Sequence, residues 1–390
     1  MAVCTPAALL PTPWQSLNGF ASRAVTSVLG TEAGNFPKRR GRHNKLRIAN
    51  FVALSGSPGI WAPSAMNSTM LAASEINARG GILGREVEVV FLDASGTVEQ
   101  ITRRARDVIA SEQVDVIVGS HTSAVRVALR KHIAGRIPYI YTTVYEGGER
   151  TPGVIAIGET PRNQCRPAIH WLADVKKASR WYLIGSDYVW PWLSHQAMKG
   201  YIAESGGQVV GEEFVSVGED DYTSHVARIR AANPDVVLVS LIGADSITFN
   251  RSFGEHGLAS RILRLASAFD ETVLLGIGAD NSDNLFCASG YFNCVHSRDT
   301  ESFVSRYEAA FGAHSAPAGS VGQSNYEGLR FLEAAARHAG SVAPKPLLAA
   351  AGNIVYSGAR GPVVLRQGRT AMPIYLAQAD GIEFRVIETF

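Results

Sequence analysis

Few of the features that announce catalytic chemistry occur in this chain. Gly-Lys never stands in a GxxxxGK[ST] phosphate loop, and HExxH and the GxSxG nucleophile elbow are both missing. Gly276-Ile-Gly278 lacks the third glycine of a dinucleotide fingerprint and follows no convincing first strand. Cysteine is scarce: Cys4, Cys165, Cys287 and Cys294 make no CxxC and no zinc-ligand spacing. Cys287 and Cys294 flank a strand-like stretch and are near enough to pair, although reduced, buried thiols are the more usual state. No uncharged apolar run approaches the roughly 20 residues of a membrane-spanning helix. Charge of one sign is lacking too. A net +2 gives neither a nucleic-acid footprint nor attraction to a membrane surface.

The amino terminus lacks the order of a secretory signal, which needs a basic start, a continuous apolar stretch and a small-residue cleavage site. Instead, Pro11, Pro13, Gln15, Asn18, Arg23 and Glu32 are scattered through residues 1–36. The basic cluster Lys38-Arg39-Arg40-Gly41-Arg42-His43-Asn44-Lys45 follows the weakly apolar part rather than preceding it. The expectation is a disordered basic arm over 1–45 on a cytoplasmic chain. A true start elsewhere would allow a periplasmic or other extracytoplasmic protein.

What is present is an ordinary apolar content, 46% of 390 residues with 18% charged, which is too much for one core and comfortable for two domains. From Leu46 the chain alternates short apolar strands with amphipathic helices, the pattern of a parallel α/β sheet. Arg47–Leu54 reads as the first strand and Ser55–Gly59 as a turn. Ser64 is placed to cap a helix that Gly80-Gly81 ends. The rhythm restarts at Trp181. Gly361–Phe390 alternates as strands around the hairpin signal Asp380-Gly381. The expected fold is α/β and two-lobed, each lobe a parallel sheet flanked by helices, with a ligand cleft between. Residues 46–160 with 289–350 form the first lobe, and 161–288 with 351–390 the second.

Two strand ends break directly into polar and aromatic residues, as suits a small polar ligand held where a sheet opens. One is Tyr139–Gly147, with Tyr141, Thr142 and Thr143; the other is Tyr182–Pro191, with Tyr188 and Trp190. Ser120, Thr122 and Ser123 add hydroxyls to the free N–H groups of a helix start, a donor-rich corner for a carbonyl or carboxylate oxygen. Plain N-capping by one of them is the competing reading. Tyr188 and Trp190 are placed to roof a ligand, with hinge packing as the alternative. Asp245, at the next strand mouth, would receive an ammonium or amide N–H, or else cap the helix ahead of Ile247. His121, beside Ser120 and Ser123, is the one suggestive histidine. A Ser123–His121 nucleophilic pair is disfavoured because residues two apart at a helix start face different directions. The chain is expected to be no enzyme and to need no cofactor or metal.

Glu75-Ile-Asn-Ala-Arg-Gly-Gly81, Tyr145-Glu-Gly147, Arg162-Asn-Gln164, Gly185-Ser-Asp-Tyr188 and Gly361-Pro-Val363 resemble the type I periplasmic-binding-protein family. Tyr-Glu-Gly with Gly-Ser-Asp-Tyr is similar to its amide- and urea-binding branch, which includes the cytoplasmic amide sensors of aliphatic amidase operons and regulators of nitrile hydratase genes. The resemblance implies that Ser123 and Thr143 hydrogen-bond the amide while Tyr188 closes over it. His121 and Trp190 stand where the sensors have tyrosines, and Asp245 falls near a neutral position of theirs. It further implies an amide- or urea-responsive regulator acting through an antitermination protein, without direct nucleic-acid or membrane contact, and leaves homo-oligomerisation open. The alternative is the substrate-binding protein of an ABC importer for urea, short amides or branched-chain amino acids.

Overall fold

Val236–Ser240 and Leu285–Ser289 are buried at every residue. Strands buried on both faces need helices on both sides, and parallel pairing through helical crossovers supplies them. The computed structural model describes residues 25–29, 45–133 and 135–390, and contains two such sheets.

The first lobe runs β1 (Val25–Leu29), β2 (Lys45–Val52), α1 (Ala62–Ala78), β3 (Glu86–Asp93), α2 (Val98–Ala110), β4 (Val116–Gly119), α3 (Ser123–Ile133), β5 (Tyr139–Tyr141) and β6 (Val154–Ala156). Its strands are all parallel, in the order β1-β3-β2-β4-β5-β6. Helix α2 shows how locally the sequence specifies these elements. Thr97 and Gln100 form a reciprocal capping box, and Ile101, Ala105 and Val108 recur at helical spacing and are buried. Burying each of the two larger side chains contributes about 1.5–3 kcal/mol.

The second lobe follows with α4 (Pro161–Lys176), β7 (Arg180–Ser186), α5 (Val189–Glu204), β8 (Gln208–Val215), α6 (Thr223–Ala232), β9 (Val236–Ser240), α7 (Gly243–Glu255), β10 (Leu263–Ala266), α8 (Glu271–Ile277) and β11 (Leu285–Ser289). The chain then returns to the first lobe as α9 (Arg298–Phe311), α10 (Ser320–Ala339), α11 (Pro344–Ala351) and a small antiparallel sheet of β12 (Asn353–Gly358), β13 (Gly361–Arg366) and β14 (Arg369–Ala371). The hairpin β15 (Tyr375–Asp380) and β16 (Glu383–Thr389) finally adds antiparallel to β11, giving the order β16-β15-β11-β10-β9-β7-β8.

Three crossings therefore join the lobes, near Glu159, Gly290 and Met372. A buried polar network sits among them. Arg360 Nη1 meets Glu159 Oε1 at 2.6 Å, the Gly290 N–H donates to the same oxygen at 3.0 Å, and Arg360 Nε donates to Gln323 Oε1 at 2.8 Å.

Several expectations need correction. Val25–Leu29, inside the tract read as a disordered arm, is a strand at the edge of the first sheet. The basic cluster over 38–44 and Cys4 lie outside the described residues. Ile354, Tyr356, Val363 and Leu365 belong to the same core as Phe303 and Leu329, so 351–371 packs with the first lobe and the return to the second begins only at β15. Helix α1 starts at Ala62, ahead of Ser64, whose hydroxyl bonds back to the Trp61 carbonyl at 3.0 Å. The reduced state expected of the cysteines, by contrast, is found: Cys165, Cys287 and Cys294 are all free.

Candidate functional site

Parallel strands deliver their carboxyl ends to one edge of a sheet, and here the two edges face each other. The turn after β2 reaches from the first lobe onto the second. Ser57 Oγ donates to the Ile242 carbonyl at 2.6 Å and accepts the Asp245 N–H at 3.1 Å. Trp61 Nε1 donates to Asp270 Oδ1 at 3.0 Å. Asp270 also accepts the N–H groups of Thr272 and Val273 at the start of α8. Burial pushes its carboxyl above the ordinary range.

Between these contacts lies a cavity of about 40 Å³. The first lobe contributes Pro58, Trp61, Ser120, His121, Thr122, Tyr141, Thr143, Val144 and Val321; the second contributes Tyr188, Trp190, Ile242 and Ala268. Of the ten residues singled out from the sequence, seven thus come together: Ser120, His121, Thr122, Tyr141, Thr143, Tyr188 and Trp190, while Thr142 lies outside the lining. Ser123 and Asp245 do not line the cavity. Ser123 starts α3, and its Oγ is buried close to the Tyr141 phenol without a hydrogen bond of its own. Asp245 lies in the first turn of α7, where its Oδ2 accepts the Gly218 N–H at 3.0 Å. Burial raises its carboxyl as well.

The cavity wall carries no net charge. Burial, reinforced by the nearby Arg126 charge, lowers the His121 pKa to about 3, so its imidazole is neutral at physiological pH. The ring stacks on Tyr139 and its Nε2 contacts that phenol, while the Tyr141 hydroxyl donates to the His121 carbonyl at 2.6 Å. Arg126 itself is buried behind the wall. It is paired with Glu146 and Glu149 and lies 5.2 Å from the centres of both the Tyr141 and Tyr145 rings. Burial also pushes the Tyr188 phenol well above its usual range, so it remains a neutral donor. Its ring lies 6.2 Å from that of Trp190.

Trp61, Asp270 and the α10 residues that position the wall escaped the sequence reading. Asn325 Nδ2 donates to Ser120 Oγ at 3.1 Å, and Asn50 Nδ2 donates to Asn325 Oδ1 at 3.0 Å. The available signal was the mouth of β2, where Ser57, Pro58 and Trp61 form a third strand-end cluster.

Comparisons with known proteins bear on the fold and the family. A Leu/Ile/Val-binding protein of Rhizobium johnstonii is 23% identical over 308 residues, covering 77% of this chain and 81% of that one. A solute-binding protein of an ABC transporter from Rhodopseudomonas palustris, solved with 3,4-dihydroxybenzoic acid, superposes with a TM-score of 0.80 at 21% identity, over 89% of this chain and 98% of its own. A leucine-binding protein from Thermotoga maritima superposes with a TM-score of 0.76 at 18% identity, over 88% and 98%. These superpositions establish the shared fold. Residues 45–383 match the family described as periplasmic binding protein, and the chain belongs to that family.

Proposed function

We propose that this protein is the solute-binding component of an importer and that it closes on a compact, uncharged nitrogen compound of the amide or urea kind. The observation that carries this reading is the cavity: it is walled by both lobes, lined by hydroxyls, aromatic rings and a neutral histidine, and measures about 40 Å³. Its small size suits a compact ligand. An aromatic acid such as the one held by the R. palustris protein would need the jaws to open wider and would meet no cation on the wall. A handful of neutral hydrogen bonds supports micromolar binding, on the order of −8 kcal/mol.

The names of the relatives favour transport over the regulatory reading with an antitermination partner. They also favour an extracytoplasmic location over a cytoplasmic one. Fractionation separates the two, because a protein retained in the cytoplasm would sink the importer reading.

One observation supports a second ligand class. Asp270 is a fully buried carboxylate that pairs with no cation among the described residues, and it hydrogen-bonds two residues of the cavity lining, Trp61 through its indole and Val321 through its backbone N–H. If Trp61 swung away, that carboxylate would receive the ammonium of a small aliphatic amino acid. Calorimetry with acetamide, propionamide, urea, leucine and 4-hydroxybenzoate decides. We expect the neutral amides or urea to bind, with Asp270→Asn changing their affinity by less than about threefold. Leucine binding that Asp270→Asn abolishes would transfer the assignment to amino acids, and silence with all five would end both readings.

A further inference from the structure

A second cavity, about 470 Å³, opens beside the crossings between the lobes, and nothing in the solute reading uses it. Arg162 and Asn163 come to it from the start of α4 in the second lobe, and Arg369 and Thr370 from β14 in the first. Asn163 Nδ2 donates to the Thr370 carbonyl at 3.4 Å across the boundary. Both arginines are exposed, and neither pairs with a carboxylate among the described residues. Glu146 also lines this cavity. Its side chain is only 5% exposed, and while Oε1 is taken by Arg126, Oε2 is buried without a hydrogen-bond partner.

Two unpaired guanidinium groups lining one hollow concentrate anions, and their planar forks match the oxygens of a phosphoryl or carboxylate group. The unpartnered Glu146 oxygen narrows the choice. A carboxylate can only accept, so it repels a fully ionised sulfate but takes the O–H of a hydrogen phosphate. We propose that this cavity binds a hydrogen-phosphate group, bridged by Arg162 and Arg369 with its O–H donated to Glu146 Oε2. Because the two arginines come from opposite lobes, the bound anion favours the lobe arrangement that holds them together. Differential affinity of this kind is the requirement for coupling to closure. The proposal is independent of which solute occupies the central cleft.

The test is calorimetry on the solute-free protein in a zwitterionic buffer at about pH 6, where both phosphates retain an O–H in a large fraction of molecules, with inorganic phosphate, methyl phosphate and sulfate as separate arms. Binding of either phosphate, at least about tenfold tighter than sulfate, is expected, and the stronger of the two arms identifies free or esterified phosphate as the ligand. Arg162→Gln and Arg369→Gln should each weaken it at least about tenfold with melting temperature unchanged, as suits exposed positions. Absence of phosphate binding at millimolar concentration, equal binding of sulfate, or binding unchanged in the double variant would overturn the proposal.

Discussion

His121 shows how one buried side chain sets both the chemistry of the cleft and a cost in acid. Its pKa falls from the ordinary value near 6.5 to about 3 because burial disfavours the imidazolium and Arg126 repels it. As pH drops below 6.5, the unfolded chain takes up this proton while the folded chain refuses it until about pH 3. Stability must therefore decrease with falling pH across that window, by about 1.4 kcal/mol per pH unit from this group. His121→Gln should remove that component of the slope in urea denaturation at pH 6.5, 5.5 and 4.5. Parallel slopes for the two proteins would show that the histidine is protonated in the fold. His121 was legible in the sequence because it stood among hydroxyls at a strand end. Trp61 and Asp270 were not, because a tryptophan ahead of a helix reads as core and an aspartate before Glu271 reads as a cap. Only the approach of the two lobes makes Trp61, held from behind by Asp270, part of a cavity wall.

At the scale of elements, most strands of the two large sheets were legible from alternating or continuous apolar residues, whereas β12 was not. Strand β12 buries Ile354 and Tyr356 but exposes the residues between, so its six residues carried too weak a pattern to separate from a loop. Helix α8 has only seven residues. The pairing of β1 with β3 is a tertiary choice that no local propensity encodes. The start of α7 was placed too late for a related reason: Gly243 begins it with φ +53°, and its backbone is pressed against the first lobe. A Cβ at this position would stand 1.9 Å from the Ser57 carbonyl oxygen. Gly243→Ala should therefore wedge the jaws apart. Left-handed strain costs about 1–2 kcal/mol of stability, while affinity for the cleft ligand should fall at least tenfold and the radius of gyration rise. Gly200→Ala on α5, where an added Cβ meets nothing within 4 Å, is the matched control. Tight binding by Gly243→Ala would show that closure does not need this contact.

For the molecule as a whole, the two-lobed plan was legible because the strand–helix rhythm stops and restarts, whereas the path of the last 40 residues was not. The chain stays with the first lobe through β12–β14 before crossing for the third time, and Arg360, in the turn between β12 and β13, is what that extension delivers to the hinge. Its guanidinium is buried between Glu159 and the Gln323–Glu327 pair of α10, and the Arg360 backbone N–H donates to Glu327 Oε1 at 3.2 Å. Burial holds Glu327 above the usual carboxylate range even with this cation present. Removing the cation alone would strand two buried carboxylates at the pivot. Arg360→Met should therefore cost about 3–5 kcal/mol in urea denaturation at neutral pH. The deficit should shrink toward pH 5, because Glu327, already held above the usual range by burial, takes up its proton in the folded state before the unfolded chain does. Neutralising the acids too, in the triple variant Arg360→Met, Glu159→Gln, Glu327→Gln, should recover most of the loss, since a buried ionic cluster and its uncharged replacement are often close in stability. Should the triple variant be no more stable than the single one, the network would be acting by shape at the crossings, and its charges would contribute nothing to holding the two lobes on one axis.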